Sequence, residues 1–463
     1  MLVVFACLFA LLAAGRASAF SEQELTLHMD DGATLAATLY EPDSAAPPAG
    51  YPTIALLHAL GGKRQDLDLL AQRLVDPFAV LSFDARGHGE SSGLVSIDGP
   101  REIADVRQVF GQLAARPEVD GAKIGAWGIS LGGGAVLRSL VEGVPWAAAA
   151  TAETWTDLYG ALVPQNLAKS GAVVQFMNSV PQNRFDPAVL TLTSDALAAR
   201  NLGALRAWAD ARSSRKLLSK VTTPVFMFQG RRDFAFDIAQ ATAGYRLLKG
   251  PKRLYIGDFG HAPSTFPGPD FAQVASLGLK WFTRYLVGVP TTIAPVLLAP
   301  SPWRGRVRTY ASLPATRRLT FAFPGTDRVT GSGRALRVSG RLNSKLETFG
   351  TSEVRVTAQL SGGWTRVVAV LTAKPPGRAE IVVSEGGVNT AGLGGTRQLA
   401  IRLIDDATLI PRGSRLRLFL ASSSLAQNPG NLLYLNFPMP AGARVSLGPA
   451  RLVLSILRSP VSR

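Results

Sequence analysis

The chain has 463 residues, 47 % hydrophobic and 18 % charged, with a formal net charge of +16. This composition is that of a globular protein of two or three domains, and it excludes a disordered or fibrous chain. The only cysteine is Cys7, so beyond the first residues there is no disulfide, no thiolate metal site and no cysteine nucleophile.

Met1 to Gly15 is almost wholly apolar and is followed by Ala17-Ser18-Ala19, the small-residue pattern of a cleavage site. The run is too short to span a membrane comfortably. Residues 1–19 are therefore predicted to be a secretory signal, and the mature protein to be exported to the periplasm or beyond. Next, Glu24–Tyr40 reads as two strands around a turn at Asp30-Asp31-Gly32. Thr53–His58 reads as a buried strand followed by Ala59-Leu60-Gly61-Gly62, and Arg64–Leu74 has helical spacing. Phe78–Phe83 is a further strand, and Arg101–Ala115 a helix with apolar residues at Ile103, Val106, Val109, Phe110 and Leu113.

Ile124–Trp127 is a short apolar strand. It runs into Gly128-Ile129-Ser130-Leu131-Gly132 and then a helix beginning Gly133-Gly134-Ala135. This strand, G-x-S-x-G turn and helix form a nucleophile elbow, in which tight backbone demands tiny residues around an exposed serine. Trp146–Thr151 resumes the sheet. Glu153–Lys220 is too long for an ordinary loop and is predicted to be an inserted helical cap. Pro224–Phe228 is a strand ending in Gln229-Gly-Arg-Arg-Asp233. Ile238–Leu248 is a helix, Arg253–Ile256 a strand before Gly257-Asp-Phe-Gly-His261, and Phe271–Leu286 a closing helix. Strands alternating with helices predict a mostly parallel sheet covered on both faces.

From Pro290 the periodicity becomes that of short strands: Leu319–Phe323, Val354–Leu360, Val367–Leu371, Leu399–Leu403, Leu416–Leu420, Leu432–Phe437 and Arg451–Leu457. An all-β sandwich over 290–463 is expected, after an α/β domain over 20–289 with its cap at about 153–220. The charge follows the same division. Residues 291–463 carry 23 Lys plus Arg against 7 Asp plus Glu, a balance of +16, and the remainder of the chain is neutral by count. The arginines are single and spread through strands, which argues against a nucleic-acid-binding arm. They suggest an anionic envelope surface as a partner for the C-terminal domain.

Four histidines are present, and only His261 lies downstream of the elbow. An acyl-transfer base must take the serine proton and return it to the leaving group, which an imidazole does near neutral pH. His261 is the expected base for Ser130. Asp233 follows the strand after the cap and is the expected carboxylate. Asp237 and Asp258 are its rivals: Asp237 is placed to cap a helix, and Asp258 sits on the histidine loop itself. The backbone N–H groups of Leu131 and Leu60 are expected to hold an oxyanion. No H-E-x-x-H, Walker loop or Rossmann glycine pattern occurs, and neither a metal nor a cofactor is expected.

The order Ser130, Asp233, His261, with Asp84-Ala-Arg-Gly-His-Gly89, resembles the α/β-hydrolase superfamily. Trp127 within the elbow strand, the C-terminal segment Gly413–Ser424 and Asn428-Pro429 look like the group of X-Pro dipeptidyl-peptidases (peptidase family S15) and cocaine-esterase-like enzymes, with a jelly-roll C-terminal domain. The resemblance implies hydrolysis of a small ester, or release of Xaa-Pro dipeptides. Two departures stand out: Leu131 follows the serine where that group often has an aromatic residue, and His58–Arg64 contains no tyrosine for an oxyanion hole. An exopeptidase also needs an anion for the substrate ammonium, for which Glu153 and Asp157 are candidates.

Overall fold

The computed structural model describes residues 20–458; the predicted signal segment and Cys7 lie outside them. The first domain is built on a ten-stranded sheet. Its strands are β1 (Phe20–His28), β2 (Thr34–Pro42), β3 (Tyr51–Leu57), β4 (Ala79–Phe83), β5 (Val119–Ile129), β6 (Ala148–Ala152), β7 (Val225–Gly230), β8 (Lys252–Gly257), β9 (Val296–Leu298) and β10 (Arg308–Tyr310). They lie in the order β1-β2-β4-β3-β5-β6-β7-β8-β9-β10. The run from β4 to β9 is parallel; β1, β2 and β10 pair antiparallel at the two edges. Every residue of β3, β4 and β6 is buried, as a parallel sheet covered on both faces requires.

Helices α1 (Asp68–Leu74), α2 (Pro100–Ala114) and α3 (Leu131–Val141) precede the cap. The cap comprises α4 (Leu158–Leu162), α5 (Ser170–Met177), α6 (Pro187–Leu197) and α7 (Leu202–Asp210) between β6 and β7. Helices α8 (Ile238–Leu247) and α9 (Phe271–Phe282) complete the domain. One face of the sheet packs Leu35, Leu81 and Ile256 with α2, α3 and α8; the other packs Trp127, Phe228 and Trp281 with α1 and α9. Trp127 stacks on Phe228 at 5.5 Å. A Cβ at Gly278 would come within 2.0 Å of the Trp127 ring, so α9 owes its close approach to that glycine.

The second domain comprises β11 (Thr316–Phe323), β12 (Asp327–Thr330), β13 (Arg334–Arg341), β14 (Leu346–Glu347), β15 (Glu353–Ser361), β16 (Arg366–Lys374), β17 (Ile381–Asn389), β18 (Gly395–Arg402), β19 (Leu409–Ile410), β20 (Arg415–Ala421) and β21 (Arg444–Leu457). Its two main sheets are antiparallel, β11-β21-β15-β18 with β12 beside β21, and β13-β20-β16-β17. Val354, Val356, Leu418, Leu420, Leu452 and Leu454 share the core between them. On the first of these sheets Arg355 stands directly opposite Arg451. Register places Arg318 and Arg402 on the same outward face, and all four are exposed.

Two sequence expectations need correction here. The first sheet does not stop before Pro290: β9 joins β8 in parallel register and β10 joins β9, so the chain keeps adding to it up to Tyr310. Leu432–Phe437 is not a strand. Its backbone is used by the cap instead, with Gly171 N donating to Leu433 O at 2.9 Å and Leu435 N donating to Ser170 Oγ at 2.8 Å.

Candidate active site

Ser130 sits between β5 and α3 with φ +51° and ψ −109°, a region that costs a non-glycine residue of order 1–3 kcal/mol. The sequence locks it there. A Cβ at Gly128 would lie 2.0 Å from Gly132 O, and one at Gly132 would lie 2.2 Å from Leu57 O, so both flanking glycines are sterically obligatory. Ser130 N donates to Ala152 O at 2.9 Å, and Thr154 Oγ1 donates to Ser130 O at 2.7 Å.

The serine Oγ is 3.0 Å from His261 Nε2. On the other side of the ring, Nδ1 donates to Asp233 Oδ2 at 2.8 Å. Asp233 Oδ1 accepts from Ala235 N at 3.0 Å and Phe236 N at 2.9 Å. The structure thus brings Ser130, His261 and Asp233 into one hydrogen-bonded line. Asp237 and Asp258 are elsewhere. Asp237 precedes α8 without a side-chain cap and accepts from Asp405 N at 3.3 Å. Asp258 accepts from Trp303 N at 2.7 Å.

Burial alone would lower the His261 pKa, but the carboxylates of Asp233 and Glu153 outweigh it and raise it to about 9. Glu153 is 2 % exposed with φ +41°, and its Oε2 is 3.8 Å from His261 Nδ1 without a hydrogen-bond partner. Burial, with the Asp233 charge adding to it, pushes its carboxyl up to about 8. It lies on the Nδ1 side of the histidine and is not among the residues lining the cavity at Ser130. Asp157 also falls outside the site: it caps α4 through Gly160 N at 2.9 Å and pairs with Arg215 at 3.1 Å. Glu153, Asp233 and His261 gather their ligand-type atoms within 4.8 Å of one another. The Nδ1 that would face a cation is already given to Asp233, so these residues fit a proton relay better than a metal.

Leu60 and Leu131 both line the cavity that reaches Ser130. Leu131 opens α3, where the N–H has no partner within its own helix. The other buried histidines are structural. His58 Nε2 accepts from Ala85 N at 2.9 Å, and its ring packs edge-on against His88 at 4.9 Å. Burial lowers the pKa of both.

Several supporting residues had no sequence signature. Lys169, at the start of α5, is buried and donates to Phe234 O at 2.7 Å and Ala235 O at 3.0 Å, tying the cap to the Asp233 turn. Burial lowers its pKa. Phe176 and Phe236 meet the His261 ring edge-on, with centroids 5.4 and 5.1 Å away. Arg231, two residues before Asp233, donates to Ala407 O from Nε at 2.9 Å, and also to Ala299 O and Glu347. Arg232 reaches Val382 O at 2.7 Å. The acid turn is therefore anchored to the second domain.

Solved structures with this architecture include a CocE/NonD family hydrolase from Staphylococcus aureus, at 12 % identity and TM-score 0.73, covering 95 % of this chain and 94 % of that one. An alpha-amino acid ester hydrolase is similar at 16 % identity and TM-score 0.68, covering 96 % and 98 %. An aminopeptidase from a marine-sediment Thaumarchaeota archaeon is similar at 14 % and 0.68, covering 95 % and 97 %. At such identities the likeness concerns the fold. A curated relative, the quorum-quenching protein AidA of Acinetobacter baumannii, is 29 % identical over 134 residues, 28 % of this chain and 43 % of that protein, so the match spans less than half the relative's length. The X-Pro dipeptidyl-peptidase (S15 family) model matches residues 31–263, from the first hairpin turn to just past His261. That is half of the chain and takes in the whole hydrogen-bonded line from serine to carboxylate, and the protein accordingly belongs to the X-Pro dipeptidyl-peptidase (S15) family.

Proposed function

We propose that this protein is a serine hydrolase that cleaves a carboxylic ester through an acyl-enzyme. The observation that carries the reading is the Ser130–His261–Asp233 line, with contacts of 3.0 and 2.8 Å. Ser130 Oγ attacks the ester carbonyl while His261 Nε2 takes its proton. Asp233 holds the imidazole in the tautomer that leaves Nε2 free to accept, and stabilises the imidazolium. The backbone N–H groups of Leu131 and Leu60 receive the developing oxyanion; one such donor is worth about 3 kcal/mol in the transition state. Collapse expels the alcohol, which takes the proton from His261. Water activated by the same histidine then releases the acid.

An ester is favoured over an Xaa-Pro peptide because none of the residues lining the cavity at Ser130 is charged. A peptide N-terminus would bury its ammonium there unpaired, at a cost of several kcal/mol. The reading includes export, supported by the apolar run before Ala17-Ser18-Ala19.

A fluorophosphonate probe tests the chemistry. Labelling of the wild type that disappears in Ser130→Ala, together with loss of p-nitrophenyl butanoate turnover, is expected. Folded wild type that takes no label would return the chain to a non-catalytic, envelope-binding role.

A further inference from the structure

Ser130 and His261 open onto two different spaces. Ser130 lines a cavity of about 100 Å³ roofed by the cap, with Leu60, Leu131, Trp155, Leu205 and Phe236 among its walls. Apart from Ser130 itself and the Trp208 indole N–H, the polar tips in those walls are engaged elsewhere. Trp155 Nε1 donates to Arg212 O at 2.9 Å, Tyr159 OH donates to Asn166 Oδ1 at 2.8 Å, and Thr193 Oγ1 donates to Met177 Sδ at 3.4 Å. The surface presented to a ligand is hydrocarbon and aromatic. His261 faces the other way, into a chamber of about 650 Å³ between α5, the acid and histidine loops and the second domain. That chamber carries Gln175, Glu380, Glu385, Asn428 and Asn431. Phe176 lines both spaces and stands at their junction.

The chemistry assigns a substrate half to each. In ester cleavage the serine keeps the acyl group, while the histidine must reach the leaving oxygen to protonate it. We propose that the substrate is an ester of a short apolar acid with a bulky, hydrogen-bonding alcohol, the acyl chain entering the cap cavity and the alcohol the chamber against the second domain. This rests on the serine-hydrolase reading above. The acyl cavity is somewhat smaller than an engineered apolar cavity of about 150 Å³ that takes benzene, which sets the acyl group at about four to six carbons. Its apolar lining favours burial of each added methylene by roughly four-fold in kcat/KM until the space is full. The bond balance is that of hydrolysis: the Ser130 Oγ–acyl bond forms, the ester C–O bond breaks, and the serine's proton leaves on the alcohol. Water then reverses the first bond and yields the acid.

The test has three arms on the full-length protein. In a p-nitrophenyl series from acetyl to dodecanoyl, kcat/KM is expected to peak between butanoyl and hexanoyl. Ala196→Phe should move the optimum to acetyl and Leu205→Ala should move it to longer chains, so one poorly folding variant does not leave the question open. Second, p-nitrophenyl 4-methylpentanoate and the leucyl ester share a skeleton but differ by the ammonium. The leucyl ester should be poorer by roughly 100-fold, because the cavity offers that charge no partner. Third, a 6-O-butanoyl glucoside should show a KM roughly ten-fold below ethyl butanoate, an advantage lost when Gln175 and Asn431 are both changed to Ala. A flat chain-length profile, a preference for the leucyl ester or equal KM for both alcohols would overturn the assignment while probe labelling persists. Loss of labelling and of all ester turnover would instead sink the serine-hydrolase reading beneath it.

Discussion

Glu153 Oε2 and His261 Nδ1 lie 3.8 Å apart, on the side of the ring where Asp233 accepts at 2.8 Å. Two carboxyl groups therefore act on one imidazole. With the His261 pKa raised to about 9, the neutral imidazole that takes the serine proton gains population as pH rises. The acid limb of kcat/KM should accordingly rise towards about pH 9. Glu153→Gln removes an anion that favours the imidazolium, so the limb should move to lower pH. The same change bears on stability. Glu153 is raised from an ordinary 4.5 to about 8, so the fold binds the proton more tightly than the unfolded chain and loses stability as pH rises through that window. The Gln variant should gain in Tm over wild type as pH increases from 5 to 8. A pH profile and a Tm difference that both stay where they are would show that Glu153 does not act on the histidine.

Asp233→Asn is expected to lower kcat by roughly 10⁴-fold with little change in KM, because the amide cannot accept from Nδ1–H and the ring turns to the wrong tautomer. Asp237 cannot substitute, since its carboxylate is turned to Asp405. Ester kinetics on Asp233→Asn and Asp237→Asn settle the choice between them. Comparable losses in the two would contradict it.

Ser130→Gly should be inactive yet more stable. Glycine adopts φ +51° without the Cβ penalty, and relief of the strain should raise stability by about 1–2 kcal/mol. Thermal unfolding of Ser130→Gly beside Ser130→Ala separates strain relief from mere loss of the hydroxyl. Equal Tm values for the two would deny that the elbow stores strain.

Arg231→Met should cost about 1–3 kcal/mol, because it leaves two buried backbone carbonyls without their guanidinium donor, whereas Glu347 keeps Arg308 at 2.6 Å. Its effect on ester turnover should fall on kcat, since Arg231 lies two residues from Asp233 and well away from the acyl cavity. Denaturant unfolding and a kcat-against-KM comparison check both.

Arg318, Arg355, Arg402 and Arg451 share one exposed sheet face. The protein should be retained on an anionic resin at low salt and released as salt rises, because surface charge is screened over about 8 Å at physiological ionic strength. Changing Arg355, Arg402 and Arg451 to Gln should lower the eluting salt. Unchanged elution would remove this face as the basis for adhesion to an anionic envelope.

The proton-relay residues were legible in the sequence because the chemistry restricts them so tightly. The elbow needs Gly128 and Gly132, and only one histidine follows it. The parallel strands were equally plain, since burial on both faces leaves unbroken apolar runs such as Thr53–Leu57. What surrounds the site was not legible. Glu153 reads as a candidate anion for a substrate ammonium, and only the fold shows it buried against His261 at 3.8 Å. Lys169 and Phe176 reach the site only through the fold of the cap, which local periodicity does not encode. In the second domain, Leu432–Phe437 has a strand's pattern because Leu433 and Tyr434 pack against cap and core, but its backbone pairs with α5. β13 and β17 were hidden by arginines and by Gly386-Gly387, which depress strand propensity while tertiary packing supplies the pairing.

The pairing of β8 with β9 has a consequence for how such a protein can be divided. The chain that completes the hydrolase sheet is the chain that leads into the second domain, and Arg231 fastens the acid turn to Ala299 and Ala407 on the far side of that crossing. A gene fragment ending near Pro290 would leave β8 as a bare sheet edge and strip one wall from the chamber in front of His261. The two halves are therefore not interchangeable modules. In recombination or engineering they must be inherited as one piece, and a new alcohol specificity has to be sought by altering the second domain in place rather than by grafting another.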